Sequence, residues 1–167
     1  GSTSTRRYLA SAMKIFEDAS EVCPSLRLKV IANFDIHSDK LETFSIPWSE
    51  EIEAEALASA HIGIAPMPDN AWTRGKCGLK VLQYMAAGLP VLSSPVGINK
   101  DIVKHGINGF LVHSPDEWTQ RIRMLADNPY MRMKMGQAGR KHIYEHFSVK
   151  NMFSQMSQAI ADLDSIT

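Results

Sequence analysis

Residues 61–99 set the strictest limits on how this chain folds, because they alternate short apolar runs with glycine and proline stops. Residues 61–65 are mostly apolar and are followed by Pro66 and Pro68, which cannot donate to a β-ladder and so mark the exit of a strand. Residues 89–93 form a second, unbroken apolar run, which is typical of a strand covered on both faces. The stretch therefore predicts two parallel strands joined by a loop and a helix.

The helix of this unit is predicted to begin after Gly78. Leu79, Leu82 and Met85 recur at helical spacing, which indicates one apolar face. Gly88 stands where a left-handed residue would end the helix.

The loop and the first turns of this helix concentrate positive charge. Lys76, Lys80 and Gln83 are spaced by four and three residues and so lie along one line of the helix, with Arg74 ahead of them. Backbone amides at a helix N-terminus are unpaired and partly positive, and glycines allow a ligand to approach them. The glycines here are Gly75 and Gly78. These features predict an anion site beyond the carboxyl end of a strand, with a solvated basic turn as the alternative.

A long ordered pattern around this loop carries a family resemblance. Residues 74–80 read RGKCGLK, residues 83–91 read QYMAAGLPV, residues 94–97 read SPVG and residues 108–111 read NGFL. The pattern resembles the C-terminal, donor-binding domain of GT-B glycosyltransferases, in the broad family 4 of retaining enzymes. The likeness extends over most of the chain.

The resemblance implies that the helix N-terminus holds a nucleotide-diphosphate-sugar. Members of the family usually carry two Glu separated by seven residues, the first near the donor sugar and the second on the ribose hydroxyls. The matching positions here are Gly75 and Gln83, so the chain departs from the pattern at both. The amide of Gln83 can still hydrogen-bond a ribose hydroxyl, whereas the sugar contact falls to Asp69, to backbone or to another element.

The resemblance also bears on the diphosphate and the base. The family's usual Arg and Lys for the diphosphate lie in an earlier part of the domain, so Arg74, Lys76 and Lys80 are the candidates here, with no metal ion or other cofactor expected. Trp48 either stacks on the nucleobase or packs in the core. No residue is assigned as catalytic. The expected substrate-binding residues are Trp48, Asp69, Arg74, Gly75, Lys76, Gly78, Leu79, Lys80 and Gln83.

Composition limits the remaining classes of function. The 167 residues fit one domain, and 18 basic against 18 acidic residues leave no net charge to draw a nucleic acid. Cys23 and Cys77 lack metal-type spacing, which fits a reducing, cytoplasmic compartment. No apolar run approaches the roughly 20 residues of a membrane span, so any membrane contact is expected to be peripheral and to belong to a longer protein.

The sequence HIYEH at residues 142–146 matches the H-x-x-E-H pattern of one class of zinc protease. A catalytic zinc needs a third protein ligand and a cleft, which no nearby motif offers. We therefore expect a solvated helix here and no metal site.

The predicted fold class is α/β, a three-layer Rossmann-like domain with a mostly parallel sheet and strands around Leu26, Phe44, Ile62, Val91 and Phe110. The resemblance implies that a first strand precedes Gly1 and is missing here, which would leave an edge or gap in the sheet. Helix starts are predicted at Ser49, Ser114 and Asn128. A last helix after Ser148 has an apolar stripe made of Met152, Met156, Ile160 and Leu163.

The function implied by the resemblance is that of a glycosyltransferase in polysaccharide biosynthesis, acting on a glycan or lipid-linked acceptor. The acceptor site would belong to a missing N-terminal domain, so residues 1–167 alone are expected to bind donor without turnover. Two alternatives remain open: a non-catalytic module that binds a nucleotide or phosphate, and a sugar-nucleotide epimerase of the same architecture.

Overall fold

A computed structural model describes residues 3–164 of the chain, and helices and strands alternate along them. The helices are α1 (Thr3–Val22), α2 (Glu50–Ala58), α3 (Ala71–Arg74), α4 (Leu79–Ala86), α5 (Asn99–Ile102), α6 (Pro115–Asp127), α7 (Pro129–Phe147) and α8 (Val149–Asp164). The strands are β1 (Arg27–Ile31), β2 (Glu42–Ile46), β3 (Gly63–Ala65), β4 (Val91–Ser93) and β5 (Gly109–Leu111).

All strand pairs are parallel, as the sequence predicted, but they form two sheets. β1 pairs with β2, and β3, β4 and β5 form a three-stranded sheet in that order. Over residues 3–164, no hydrogen-bonded ladder joins β1 to β3. The α/β fold class is therefore confirmed, with the sheet divided at this point.

The three-stranded sheet is buried on both faces, which explains why its strands are apolar without alternation. Val91 and Leu92 are adjacent in β4 and are both fully buried, although they point to opposite faces. Each face contributes to a separate hydrophobic core. The first core includes Ile64, Leu92 and Phe110, and the second includes Ala65, Val91 and Leu111. Helices cover both faces, so the arrangement has three layers.

The two sheets share the first hydrophobic core. It contains Leu28 and Val30 of β1 beside residues of β4 and β5, and it is covered by α1 and α6. Phe16 of α1 and Trp118 of α6 meet edge to face, with ring centroids 6.0 Å apart. Apolar packing thus joins the sheets where backbone hydrogen bonds do not.

Local capping explains where several helices begin. The Ser114 hydroxyl accepts a bond from the Glu117 amide at 3.3 Å, and the Asn128 side chain accepts one from the Met131 amide at 2.9 Å. Both helix starts were predicted correctly. Ser49 precedes α2 as predicted, but its side chain makes no capping bond. Gly88 has a φ of 79°, so the left-handed turn expected after α4 is present.

Helix α3 was not predicted from the sequence, and helix α8 was predicted without its degree of exposure. Residues 66–77 were expected to be a loop throughout, yet they contain the short helix α3. The apolar stripe of α8 is exposed, with Met156 at 57% and Ile160 at 54%. Within residues 3–164, no helix is both long and apolar enough to cross a membrane. The proposed strand before Gly1 lies outside the described residues.

Candidate functional site

The N-terminus of α4 is the centre of the predicted site. Gly78 precedes the helix with a φ of 70°, a conformation that favours glycine. The Leu82 amide donates the first bond of the helix to the Gly78 carbonyl at 3.1 Å. The amides of residues 79–81 therefore have no carbonyl partner within the helix and present their partial positive charge to a ligand.

Two lysines lie at this end of the helix, and both side chains contact residues of α1. The Lys76 ammonium lies 5.1 Å from the centroid of the Tyr8 ring, and the Lys80 ammonium donates to the Thr5 hydroxyl at 3.3 Å. Desolvation of the ammonium, and secondarily the charge of Lys76, lowers the pKa of Lys80. Among the residues that the structure describes, neither lysine forms an ion pair with a carboxylate. Their charges are therefore available to an anion.

Arg74 and Asp69, predicted for different roles, pair with each other. The Arg74 Nε donates to Asp69 Oδ1 at 2.6 Å, and both side chains are well exposed. This hydrogen bond, more than charge alone, lowers the pKa of Asp69 and raises that of Arg74. The charge of Arg74 is thus already offset, and Asp69 is engaged on one oxygen.

Helix α3 holds the loop that carries Arg74 and Gly75. The fully buried Thr73 hydroxyl donates to the Pro68 carbonyl at 2.6 Å, and the Asn70 side chain accepts from the Thr73 amide at 3.0 Å. A reciprocal bond runs from the Asn70 amide to the Thr73 hydroxyl at 3.0 Å, which completes a capping box. The loop that carries the basic residues is therefore ordered by these side-chain hydrogen bonds.

Glu53 connects two predicted residues that are far apart in sequence. The Trp48 indole Nε1 donates to Glu53 Oε1 at 2.7 Å, and the Gln83 amide Nε2 donates to Glu53 Oε2 at 2.9 Å. Trp48 is 44% exposed, so its ring is not part of the core. Glu53 was not predicted from the sequence, where its only signal is membership of the acid-rich first turn of α2.

Tyr84 anchors the same part of α4 to the sheet. A Cβ added to Gly63 of β3 would lie 2.4 Å from Tyr84 Cγ, so the ring packs directly on the strand backbone. Burial, and secondarily the nearby charge of Glu53, raises the pKa of Tyr84 to about 12. Its phenol is therefore neutral at physiological pH, and the contact packs this part of α4 against β3.

A cavity of about 300 Å³ lies at the carboxyl ends of β3, β4 and β5. Of the predicted residues, it reaches Asp69 alone. Its other lining residues include Met67, Ser94, Val96, His113 and Trp118. Gly75, Leu79 and the lysines are not in its wall, and Leu79 is 57% exposed. The predicted site is thus an open surface at the helix end, beside this cavity.

The histidine motif in α7 brings two imidazoles together. The rings of His142 and His146 have centroids 4.7 Å apart. Within the described part of the chain, no group of three or more His, Cys, Asp or Glu residues is placed to hold a metal ion.

Comparison with known protein families gives one match over more than half of the chain. The family model described as Glycosyl transferases group 1 matches residues 32–128. A D-inositol 3-phosphate glycosyltransferase of Streptomyces avermitilis is 32% identical over 101 residues, which cover 59% of this chain and 21% of that protein. The matched part is therefore about a fifth of this relative's length.

Solved structures share the fold at low sequence identity. The C-terminal domain of a glycosyl transferase group 1 family protein (LpcC) from Francisella tularensis matches 83% of this chain and 80% of its own, with a TM-score of 0.64 and 19% identity. Anabaena Alr3699/HepE, solved in complex with UDP and glucose, matches 89% of this chain and 44% of its own, with a TM-score of 0.69 and 14% identity. The overall fold is therefore shared with these proteins.

Proposed function

Because this chain belongs to the glycosyl transferases group 1 family and corresponds to a C-terminal GT-B domain, we propose that it binds the donor of a retaining glycosyltransferase. The donor is a nucleotide-diphosphate-sugar, and the sugar passes to a glycan or lipid-linked acceptor with its anomeric configuration kept. The observation that carries the proposal is the N-terminus of α4, flanked by Lys76 and Lys80, which have no carboxylate partners among the described residues. UDP in the related Anabaena structure supports it.

The chemistry proposed for this site is electrostatic. When the glycosidic bond to the diphosphate breaks, negative charge develops on the leaving group, and fixed positive groups lower the energy of that state. Lys76, Lys80 and the free amides of residues 79–81 supply those groups, so no metal ion is needed. Arg74 contributes less, since Asp69 already offsets its charge.

The acceptor site is proposed to lie in an N-terminal domain outside residues 1–167. Among residues 3–164, none is assigned here as a general base. The chain alone is therefore proposed to bind donor without transfer. In the longer protein this domain is proposed to face the cytoplasm, with peripheral contact to the membrane if the acceptor is lipid-linked.

One observation favours a second candidate, a nucleotide-binding module without catalysis. Both positions where the family usually has Glu are occupied by other residues, Gly75 and Gln83. A module of this kind binds the nucleotide at the same lysines but transfers no sugar. Product analysis of the full-length protein with a sugar nucleotide, with and without acceptor, separates this candidate from a transferase and from an epimerase.

Calorimetric titration of the full-length protein with UDP, GDP and ADP tests donor binding. We expect saturable binding of one nucleotide, weakened in Lys80→Ala by about 1 kcal/mol or more, the scale of a charge-assisted hydrogen bond. Lys150→Ala is the matched control, because it removes an exposed lysine of α8.

Equal binding by Lys80→Ala and the native protein would contradict the role given to Lys80. Failure of all three nucleotides to bind the native protein would contradict the donor site itself.

A further inference from the structure

We propose that Glu53 supplies the carboxylate that binds the ribose hydroxyls of the nucleotide, in place of a carboxylate on α4. This inference rests on the proposed function and adds a specificity-determining residue to the same site. Position 83 holds an amide, and the fold brings a carboxylate from α2 to it across 30 residues of sequence. The juxtaposition of Glu53 with Gln83 is the observation that carries it.

The position of the carboxylate matches the geometry of a nucleotide laid along α4. Gln83 follows Lys80 by three residues, so the two side chains are neighbours on the helix surface. The ribose hydroxyls of a nucleotide lie beyond its phosphates by a distance on the order of one helical turn, about 5 Å. If the diphosphate binds at Lys80, the ribose therefore lies beside Gln83. It then also lies beside the Glu53 carboxylate, which accepts a hydrogen bond from Gln83.

The carboxylate has acceptor capacity left for a diol. An ionised carboxylate offers about four lone-pair sites, and Glu53 uses one on each oxygen for Trp48 and Gln83. Vicinal hydroxyls are donors that suit such a group, and acidic side chains bind ribose hydroxyls in dinucleotide-binding α/β folds. Glu53 can thus accept from the ribose without giving up either of its present bonds.

Trp48 and Gln83 hold the carboxylate in a fixed orientation. Each donates to a different oxygen, at 2.7 and 2.9 Å, and Glu53 is half-buried between them. Glu53 also lies in the first turn of α2, where the helix dipole favours negative charge. Charge this close would repel a phosphate, so its place is beside the uncharged ribose.

The test is a double cycle of protein and ligand variants, read by calorimetry on the full-length protein. The ligands are UDP, GDP and ADP, each compared with its 2′,3′-dideoxy form. The protein variants are Glu53→Gln and, as a control, Glu50→Gln, which removes one exposed negative charge from the same turn of α2.

We expect the native protein to bind its ribonucleotide about tenfold more tightly than the dideoxy form, the loss expected when a hydrogen bond to a charged group is removed. In Glu53→Gln this preference should disappear, and binding of the dideoxy form should be unchanged or tighter because a negative charge is gone. Glu50→Gln should keep the native preference. Trp48→Phe, which removes the indole donor but keeps an aromatic ring, should reduce the preference in part.

Other results overturn the inference. If Glu53→Gln keeps the tenfold preference, or weakens both ligand forms equally, then Glu53 ties α2 to α4 and does not bind the ribose. If either of these Glu53→Gln results is found while a ribonucleotide binds the native protein, only this inference fails and the proposed function stands. If no nucleotide binds the native protein, both fail together.

Discussion

At the scale of single residues, Gly75 and Gly78 lie three positions apart in the basic loop but have different constraints. Gly78 has a φ of 70°, and a Cβ added there would lie 2.7 Å from Ile102 Cδ1 and 3.0 Å from Asn99 Oδ1. Gly75 has a φ of −84°, and the nearest atom to an added Cβ is the Trp72 carbonyl oxygen at 3.7 Å. The backbone conformation therefore requires glycine at position 78 but not at position 75.

The two alanine substitutions should therefore change stability in opposite directions. Gly75→Ala should raise the free energy of unfolding by up to about 1 kcal/mol, because it restricts only the unfolded chain. Gly78→Ala should lower it by about 1–3 kcal/mol, because it strains the backbone and crowds Ile102. Urea unfolding of both variants measures the two changes, and a Gly78→Ala protein as stable as Gly75→Ala would contradict the left-handed turn.

At the scale of elements, α3 has only four residues, so it depends on its capping bonds and not on its own length. Thr73 is the residue shared by these bonds, and it has no exposed surface. The hydroxyl satisfies the Pro68 carbonyl, while the Asn70 amide donates to it. Removing the hydroxyl leaves buried polar groups without partners.

Thr73→Val, which is close to Thr in shape, should lower the free energy of unfolding by about 1–3 kcal/mol. Since α3 positions the loop before α4, the same substitution should also weaken nucleotide binding. Thr73→Ser keeps the hydroxyl and serves as the control, with a smaller loss. Chemical unfolding and calorimetry measure the two effects, and equal behaviour of the Val and Ser variants would show that the capping box does not hold the loop.

At the scale of the whole molecule, α7 carries a titrating group into the packing around the second core. His142 is half-buried, and its ring contacts those of His146 and Phe147. Burial, and then the charges of His146 and Lys104, lowers the pKa of His142, whereas Glu145 acts weakly in the opposite direction. The folded chain therefore holds this imidazole neutral at a pH where the unfolded chain protonates it.

The sign of the resulting pH dependence follows from proton binding. Below the ordinary histidine pKa of about 6.5, the unfolded state binds more protons at His142 than the folded state does. The contribution of His142 to the free energy of unfolding is therefore fully present above that pH. It is lost as the pH falls through the lowered pKa of His142 in the folded state. Unfolding free energies measured from pH 7 to pH 5 should decline, and less steeply in His142→Gln. His61→Gln, at an exposed position before β3, should keep the native slope. An unchanged slope in His142→Gln would contradict the assignment.

Much of the architecture could be predicted from the sequence because its signals are local. Pro66 and Pro68 marked the end of β3, Gly88 marked the end of α4, and Ser114 and Asn128 marked the starts of α6 and α7. Each of these signals acts within a few residues through backbone geometry or a capping bond. The parallel pairing followed from unbroken apolar strands separated by helices.

The candidate site was predictable only where it is local. The basic residues of the loop and of the first turn of α4 are close in sequence, so their clustering was visible in the printed chain. Three other features were not visible there. They are the pairing of Arg74 with Asp69, the contacts of Lys76 and Lys80 with α1, and the exposure of Trp48. Each depends on which of several neighbouring groups a flexible side chain meets.

The sequence by itself thus determined the order and type of most elements and the position of the positive charge at α4. The tertiary structure alone decided that β1 and β2 stand apart from β3, β4 and β5 as a separate sheet. It also placed Glu53 against Gln83, 30 residues away. The physical reason is that periodicity and capping act over one or two turns, whereas the contact between α2 and α4 depends on where the fold places whole helices.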